Sequence, residues 1–320
     1  MILAIDNKGT QITAENAVRG KEYYCPVCNS RLTLKRGRGK APHFSHLHII
    51  DCMRYLYKRE SVEHLELKHV LYLTLTPDHH TAMEFYLHEI EQIADLLVNK
   101  NRALEIQLSQ ISPELIVRRT KGYASLGIDA IWLLDTATIK HDSNYMYPTH
   151  FQLSTQSGHK IYSIDLKSHS ITVWHIGNHM GCSRFNYKKE HLTPEELITG
   201  GQSPMPITNK KLSRPELKNI IAREKSQRTV QNLTLTFLYH TGLTVETLPE
   251  YLTYSTPNDH YLMNSPLEWK LFIHYHLERG TFSKTLFKEM LKRRIMFNCP
   301  DADTLSNRLI EDYIMLYNSQ

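Results

Sequence analysis

The sequence predicts an α/β fold with a small N-terminal module and a mainly helical C-terminal domain. Three observations lead to this expectation. Residues 60 to 134 alternate helix-like and strand-like patterns, the pattern from residue 193 onward is mainly helical, and 320 residues are enough for two or three domains. We therefore expect three units, at residues 1–55, 56–178 and 179–320.

The middle unit contains, in chain order, the patterns of a helix, three strands, a second helix and a fourth strand. Good helix formers without Gly or Pro fill residues 59–70, and Ser112 followed by Pro113 is typical of a helix start. A hairpin at residues 159–176 could extend the same sheet. The four strand-like segments are residues 83–88, 92–98, 103–108 and 128–134.

Two acidic residues stand in adjacent predicted strands. Asp95 lies in one strand and Glu105 in the next, and a hairpin turning near residue 100 brings them opposite each other or one position apart. Facing residues in neighbouring strands have Cβ atoms roughly 5 Å apart, so the two carboxylates could hold one hard divalent cation. Without a cation or a proton, like charges at this distance destabilise a sheet. The alternative is that both carboxylates lie on a solvated face and have no function.

Four local strings lie on these elements in a fixed order. They are Glu60-Ser61-x-x-His64, Ile93-Ala94-Asp95-Leu96-Leu97, Glu105-Ile106-Gln107-Leu108-Ser109 and Arg119-Thr120-x-Gly122-Tyr123-x-x-Leu126-Gly127. Together with the element order, the strings resemble the competence protein CoiA family and the PD-(D/E)xK nuclease fold, in the variant where Gln replaces the usual Lys. The resemblance implies an αβββαβ core with a mixed sheet. It also implies a role in processing incoming DNA during natural transformation and recombination.

In such a nuclease, Asp95, Glu105 and the Ile106 carbonyl would bind Mg²⁺ or Mn²⁺, because hard cations prefer oxygen ligands. The ion would activate a water molecule and neutralise charge on the scissile phosphate. Gln107 stands where most members of the fold carry Lys. Its amide could orient the water but brings no positive charge, so more of the electrostatic stabilisation would come from the metal.

The two helices carry further candidate residues. Glu60 is the expected acid on the first helix, with Glu63 as the alternative, and His64 could hold a water molecule, the metal or a phosphate. Plainer explanations are a surface role for either acid, a solvated helix face for Lys68 and packing against the sheet for Tyr123. The residues expected to contact DNA are Lys68, Arg119 and Tyr123.

The N-terminal module contains a Cys-x2-Cys pair followed by further Cys and His residues. Cys25 and Cys28 would supply two thiolates of a tetrahedral zinc site, and two of His43, His46 and Cys52 would complete it. We expect a zinc-ribbon-like module held by Cys25, Cys28, His46 and Cys52, with His43 as the substitute. The strands around these residues are too short to bury a core of their own, so bound zinc would account for their order. A redox Cys-x-x-Cys is the less favoured alternative, because the βαβ context is missing.

The bulk composition limits the location and partners of the protein. A net charge of +5 is compatible with a polyanionic partner but does not require one. Five cysteines, an odd number, argue against a disulfide framework. The N-terminus lacks the pattern of a signal peptide, and no uncharged run approaches the roughly 18 residues of a membrane span. We expect a cytoplasmic protein without a membrane span.

Three functions are compatible with these patterns. The first is a metal-dependent DNA nuclease, with DNA and proteins of recombination or transformation as partners. The second is a catalytically weak, DNA-binding recombination-accessory protein that keeps the nuclease fold, and Gln107 is the feature that favours it. The third is a zinc-stabilised adaptor without nucleic-acid contact, which predicts no salt-dependent DNA binding.

Overall fold

The computed structural model describes residues 3–37, 40–48, 52, 61–200, 205–226 and 232–319. Across these ranges the chain forms a small N-terminal sheet, a large central sheet with helices on both faces, and a C-terminal group of helices. Glu60, one of the predicted site residues, lies outside the described residues. No helix within the described ranges is long and apolar enough to cross a membrane.

The N-terminal sheet is antiparallel throughout and has the strand order β2-β1-β3-β4-β5. Its small core includes the rings of Tyr23 and Phe44, whose centroids lie 5.1 Å apart, together with the buried side chains of Cys25 and Cys52. The strands are β1 (Leu3–Asp6), β2 (Gln11–Thr13), β3 (Tyr23–Tyr24), β4 (Arg31–Gly37) and β5 (Lys40–His46).

The central domain begins with the predicted order of helix, three strands, helix and strand, and this order is confirmed. The elements are α1 (Val62–Leu75), β6 (Thr81–Leu87), β7 (Gln92–Val98), β8 (Arg102–Gln107), α2 (Pro113–Ser125) and β9 (Asp129–Asp135). The chain continues through β10 (Tyr145–Met146), α3 (His150–Ser154), β11 (Lys160–Ile164), β12 (Ile171–His179), β13 (Phe185–Leu192) and α4 (Pro194–Thr199).

The central sheet has eight strands among the described residues, in the order β10-β13-β12-β11-β9-β8-β7-β6. Strand β9 is parallel to both β8 and β11, while the other pairs are antiparallel, so the sheet is mixed as predicted. The β11–β12 hairpin extends the sheet, which confirms that expectation. The last strand ends at Leu192, beyond the domain boundary expected at residue 178.

Helices α1 and α2 cover opposite faces of the sheet because side chains alternate along β8 and β9. On one face, Leu67, Leu71 and Leu75 of α1 share a core with Leu104, Ile106, Ile131 and Leu133. On the other face, Ile116 of α2 packs with Trp132 and Leu134, and Tyr123 packs with Ala103 and Ala130. The two helices therefore deliver their polar side chains to the sheet from opposite sides.

Both helices begin at a capping serine. Ser61 accepts a hydrogen bond from the His64 backbone N–H at 3.2 Å, and Ser112 accepts one from the Leu115 N–H at 3.2 Å. Pro113 follows at the first helical position, where its missing N–H has no cost. Such a cap contributes about 1 kcal/mol and fixes the residue at which each helix starts.

The C-terminal region is mainly helical, as predicted. Its large core includes Trp269, Phe272, Phe287, Leu305 and Leu309. The elements are β14 (Lys210–Lys211), α5 (Arg214–Ser226), α6 (Leu233–Thr241), β15 (Tyr254–Ser255), α7 (Pro266–Glu278), α8 (Lys284–Met290) and α9 (Ala302–Asn318), with β14 and β15 paired.

The turn between β12 and β13 contacts α5 at Gly181. This glycine has a φ of 78°, and an added Cβ would lie 2.6 Å from Ile220 Cδ1. Gly127 also has a positive φ, of 69°, but its Cβ would meet nothing within 4 Å. Gly127→Ala should therefore cost only the left-handed conformation, while Gly181→Ala should also push α5 away from the sheet.

We expect Gly127→Ala to lower the free energy of unfolding by about 1 kcal/mol. Gly181→Ala should lower it by about 1–3 kcal/mol more, which is the usual cost of overpacking. Urea denaturation of both variants measures the difference. Equal losses would contradict the close approach of Gly181 to Ile220.

Candidate functional site

Asp95 lies at the centre of a buried polar cluster on the α1 side of the sheet. Its Oδ1 is 3.1 Å from the Lys68 Nζ, and its Oδ2 is 3.2 Å from the His64 Nε2. The backbone N–H of Ile106 donates to the same Oδ2 at 2.9 Å. Lys68 also donates to Glu84 Oε1 at 3.2 Å. One ammonium thus lies between two carboxylates from neighbouring strands.

A local irregularity in β6 and β7 directs these acids toward α1. The pairing of β6 with β7 runs to Met83 opposite Leu96 and resumes at Phe85 opposite Ala94, without a Glu84–Asp95 pair. Glu84 has a φ of 54°, which is rare for a residue other than Gly. The two acids leave the regular ladder, so their side chains reach Lys68 beneath α1.

The surroundings of Asp95 keep its carboxylate ionised. Burial alone would raise its pKa, but the charge of Lys68, followed by His64 and the Ile106 N–H, lowers the pKa well below the usual range. An ionised carboxylate at this position can accept hydrogen bonds or ligate a cation. Asp95 therefore remains a competent ligand at neutral pH.

Glu105 has a separate set of partners on the α2 side. Arg119 Nη2 lies 2.8 Å from both Glu105 carboxylate oxygens, and the Tyr123 hydroxyl donates to Oε1. Arg119 also donates to the Ile93 carbonyl at 3.1 Å, and its guanidinium lies 5.2 Å from the Trp132 ring centroid. These contacts hold the Glu105 side chain in one orientation.

The two carboxylates still influence each other. Burial raises the pKa of Glu105 to about 7, with a further contribution from the Asp95 charge, although Arg119 and Tyr123 act in the opposite direction. The β7–β8 register pairs Leu96 with Leu104, and continued by one residue it places Asp95 opposite Glu105. Two like charges at this distance need positive charge nearby. Protein side chains supply it, because Lys68 pairs with Asp95 and Arg119 pairs with Glu105.

The predicted site residues thus fall into two groups around the β7–β8 pair. His64 and Lys68 meet Asp95 on the α1 side, while Arg119 and Tyr123 meet Glu105 on the α2 side. Gln107 belongs to neither group, because its amide donates to the Ser109 carbonyl at 2.7 Å. Glu63 is exposed in the first turn of α1.

The predicted DNA contacts of Lys68, Arg119 and Tyr123 do not fit the structure. Lys68 and Tyr123 are fully buried, and Arg119 is turned inward to Glu105. Their charges and hydroxyl serve the two acids and do not face the surface. Glu84 was missed by sequence analysis, although an acidic residue inside the apolar strand pattern 83–88 was a usable signal.

The N-terminal module brings together the four residues expected to bind zinc. Their ligand atoms all lie within 4.8 Å of one another, and the residues are Cys25, Cys28, His46 and Cys52. The Cys25 and Cys52 Sγ atoms are 4.0 Å apart, and Cys28 Sγ is 3.3 Å from His46 Nε2. A tetrahedron with zinc–sulfur bonds of about 2.3 Å has edges of roughly 3.8 Å, so the arrangement fits zinc.

The chemistry of this donor set also fits a metal. Burial raises the pKa of Cys28, but hydrogen bonding with Ser30, Cys52 and Cys25 outweighs burial and lowers the pKa, which favours the thiolate. In the described part of the chain, no other group of three or more Cys, His, Asp or Glu side chains is close enough to share an ion. His43 lies outside the group.

Comparison with known proteins gives the class and then the family. Residues 60–194 match the family model described as "Competence protein CoiA, nuclease-like domain", and residues 7–54 match "Competence protein CoiA, N-terminal domain". The chain therefore contains a nuclease-like domain that follows a Cys- and His-containing module. The chain belongs to the competence protein CoiA family, which confirms the resemblance noted in the sequence.

The chain is also similar to part of a curated relative. The chain is 32% identical over 142 residues to the competence protein CoiA of Bacillus subtilis (strain 168). This alignment covers 43% of the present chain and 37% of the relative, so the chain matches little more than a third of that protein's length. No solved structure matches the chain.

Replacing Lys68 tests the buried polar cluster. Lys68→Met would leave Glu84 and Asp95 without their shared ammonium, and we expect the free energy of unfolding to fall by about 3–5 kcal/mol. Lys121→Met, an exposed position on α2, serves as the control and should change it by less than about 0.5 kcal/mol. Urea denaturation measures both values. A loss below about 1 kcal/mol for Lys68→Met would contradict the ion-pair geometry.

Metal analysis tests the N-terminal centre. The purified protein should hold one zinc ion per chain, and the Cys25→Ser, Cys28→Ser double variant should lose it, because two of four ligands are removed. The matched control is the Cys182→Ser, Cys299→Ser double variant, since neither residue belongs to the cluster. Zinc content by elemental analysis distinguishes the two. Equal zinc in all three proteins would exclude this site.

Proposed function

We propose that this protein is a metal-dependent DNA nuclease with the PD-(D/E)xK fold, and that Asp95 and Glu105 form its active centre. We further propose that it processes incoming DNA in natural transformation, in keeping with the name of its relative. The observation that carries the proposal is the Ile106 N–H···Asp95 hydrogen bond of 2.9 Å. It anchors one buried carboxylate to the backbone directly after Glu105, inside a domain that matches a nuclease-like family.

The donor set suits a hard cation such as Mg²⁺ or Mn²⁺. Asp95, Glu105 and the Ile106 carbonyl offer oxygen ligands only. The chemistry that a bound divalent ion supplies is activation of a water molecule and neutralisation of charge on the scissile phosphate. For both carboxylates to bind one ion, Arg119 must release Glu105 and the Glu105 side chain must turn toward Asp95. Lys68 keeps its hydrogen bond to Glu84 in this arrangement.

Lys68 also offers the positive charge that the Glu-x-Gln motif lacks. Gln107 is neutral and is engaged by Ser109, whereas the Lys68 ammonium lies 3.1 Å from Asp95. A buried ammonium held by two acids has a fixed position, so it costs little reorganisation when negative charge develops beside it. In this proposal the buried Lys68 fixes the orientation of the Asp95 carboxylate and offsets its negative charge.

His64 lies on the solvent side of the centre. Its side chain is 18% exposed, and its Nε2 is 3.2 Å from Asp95. An imidazole in this place can exchange protons with water while the carboxylate orients it. We assign His64 the role of holding or moving a proton next to Asp95. Arg119 and Tyr123 act as positioning residues for Glu105.

A second function is favoured by a specific observation. Both carboxylates already have protein cations as partners, and Gln107 points to Ser109, so the polar clusters are balanced without any ion. A DNA-binding, recombination-accessory protein that keeps the nuclease fold would have this arrangement. Such a protein would act together with recombination or transformation proteins and would need no cleavage.

The decisive experiment compares two Asp variants of the same sheet. Asp95→Asn should reduce Mn²⁺- or Mg²⁺-dependent cleavage of single- or double-stranded DNA by about 10²-fold or more, and Glu105→Gln should do the same. Asp129→Asn is the control, because Asp129 is exposed in β9. Its ion pair, to Arg102 at 3.5 Å, is long and lies near the surface. Cleavage of labelled oligonucleotides gives the rates, and zinc content with circular dichroism checks folding.

The outcomes separate the candidate functions. Cleavage by the wild type and by Asp129→Asn, lost in Asp95→Asn, supports the nuclease. If the wild type and all variants bind DNA in a salt-dependent way but none cleaves it, the accessory role replaces the nuclease as the proposed function. The absence of both cleavage and salt-dependent binding would leave the adaptor as the remaining function.

A further inference from the structure

A basic groove runs along β4 in the N-terminal module. Its volume is about 880 Å³, and its lining joins β4 to the loop before β3 and to β5. Among the residues that the structure describes, no Asp or Glu lines the groove. Five exposed cations do line it, and they are Arg19, Lys21, Arg31, Lys35 and Arg36. The groove is therefore a concentrated positive surface.

Alternation along β4 directs part of this charge away from the predicted zinc ligands. Arg31, Thr33 and Lys35 share one face of the strand. The buried Leu32 lies on the other face, opposite His46 of β5. Arg31 and Lys35 are four residues apart, so their Cα atoms are separated by about 13 Å along the strand. The charges follow a line and do not surround one point, which suits a chain of phosphates better than one small anion.

Hydrogen bonds hold the loop that forms the other wall of the groove. The Tyr23 hydroxyl accepts a hydrogen bond from the Val18 N–H at 2.7 Å and donates to the Val18 carbonyl at 3.2 Å. Arg19 Nη2 donates to the Arg36 carbonyl at 2.7 Å, and Arg36 Nη2 donates to the Ala14 carbonyl at 2.9 Å. The groove is therefore formed before a ligand arrives, so binding does not have to order this loop.

Little negative charge compensates the cations of the groove. Glu22 Oε1 lies 3.0 Å from Arg31 Nη2 and balances that residue. Asp6 accepts two backbone N–H groups of its own turn. Arg19 and Arg36 contact carbonyl groups, which carry no net charge. Four of the five cations thus have no carboxylate partner in the described part of the chain, while the whole chain has a net charge of only +5.

Apolar and ring side chains adjoin these charges. Leu47 is 75% exposed, and the partly buried Leu34 and His43 also line the groove. The unpaired bases of a single strand can contact such side chains, whereas the bases of a duplex are stacked inside it. The lining therefore fits a single strand better than a duplex.

We propose that this groove binds a single strand of DNA, with its cations on the phosphates and Leu34, His43 and Leu47 against sugars and bases. Phosphate contacts carry no sequence information, so the binding is tolerant of sequence and depends on salt. The inference rests on the proposed function in taking DNA as the partner. It adds a strand-binding surface outside residues 60–194, which match the nuclease-like domain.

Fluorescence anisotropy of a labelled oligothymidylate with the full chain, without added Mg²⁺ or Mn²⁺, tests the groove. The Lys21→Gln, Lys35→Gln double variant should bind about tenfold more weakly at low salt. The slope of log K against log salt should fall in magnitude by about 1.4, because each phosphate contact on a single strand contributes roughly 0.7. The matched control is Lys167→Gln, Lys225→Gln, at exposed positions outside the module, which should keep both values.

Zinc content shows whether the module of each variant stays folded, since neither Lys21 nor Lys35 belongs to the Cys and His cluster. If the double variant loses zinc, the single variants Lys21→Gln and Lys35→Gln should each reduce the salt slope by about 0.7. The inference is overturned if variants that keep their zinc bind the strand as the wild type does. It is also overturned if the wild type binds no strand.

Competition identifies the partner and separates this inference from the proposed cleavage. An unlabelled duplex and a polyglutamate peptide, each matched to the oligonucleotide in charge, should displace the strand less well than unlabelled oligothymidylate does. Equal displacement by either competitor would overturn the assignment to a single strand. Groove-dependent binding without cleavage by the wild type would remove the nuclease and support this inference, whereas cleavage together with unchanged binding by the groove variants would remove only the groove.

Discussion

The centre of this molecule depends on one buried ammonium. Lys68 lies between Glu84 and Asp95, so α1, β6 and β7 each contribute one charge to the same contact. Asp95 then takes the Ile106 N–H with its other oxygen and ties β8 to the cluster. Removing one member would leave another charge buried without a partner, so the four elements must stay in one arrangement. The irregular backbone at Glu84 is maintained because it brings this acid to Lys68.

A second charge pair on the opposite face completes the balance. Arg119 reaches Glu105 from α2, as Lys68 reaches Asp95 from α1, so each helix brings a cation to one of two neighbouring strands. The acids can therefore lie side by side in a folded chain without a bound ion. The same balance sets a condition on any metal at this place, since the ion must compete with two cations that are held by hydrogen bonds and burial.

Local patterns predicted the elements well, because helix caps, turn residues and alternation act over a few residues. The good helix formers of residues 59–70 predicted α1, Ser112 predicted the start of α2, and the turn near residue 100 predicted the β7–β8 hairpin. The Cys-x2-Cys spacing led to the four residues that converge in the N-terminal module. The role of Lys68 could not be obtained in this way. In sequence it continues the polar stripe of a helix, and only the packing of α1 over the irregular strands buries it.

The position of Lys68 also changes the meaning of Gln107. In the sequence motif, the positive charge is expected at the position of Gln107. A neutral amide at that position therefore suggests that the site has lost this charge. Electrostatic stabilisation depends only on where the charge stands relative to the reacting group, and not on the strand or helix that carries it. Here an ammonium from α1 lies 3.1 Å from Asp95, while Gln107 is turned away to Ser109. The chain has lost the motif lysine and still has a lysine beside its central carboxylate, so Gln107 alone is no argument against catalysis.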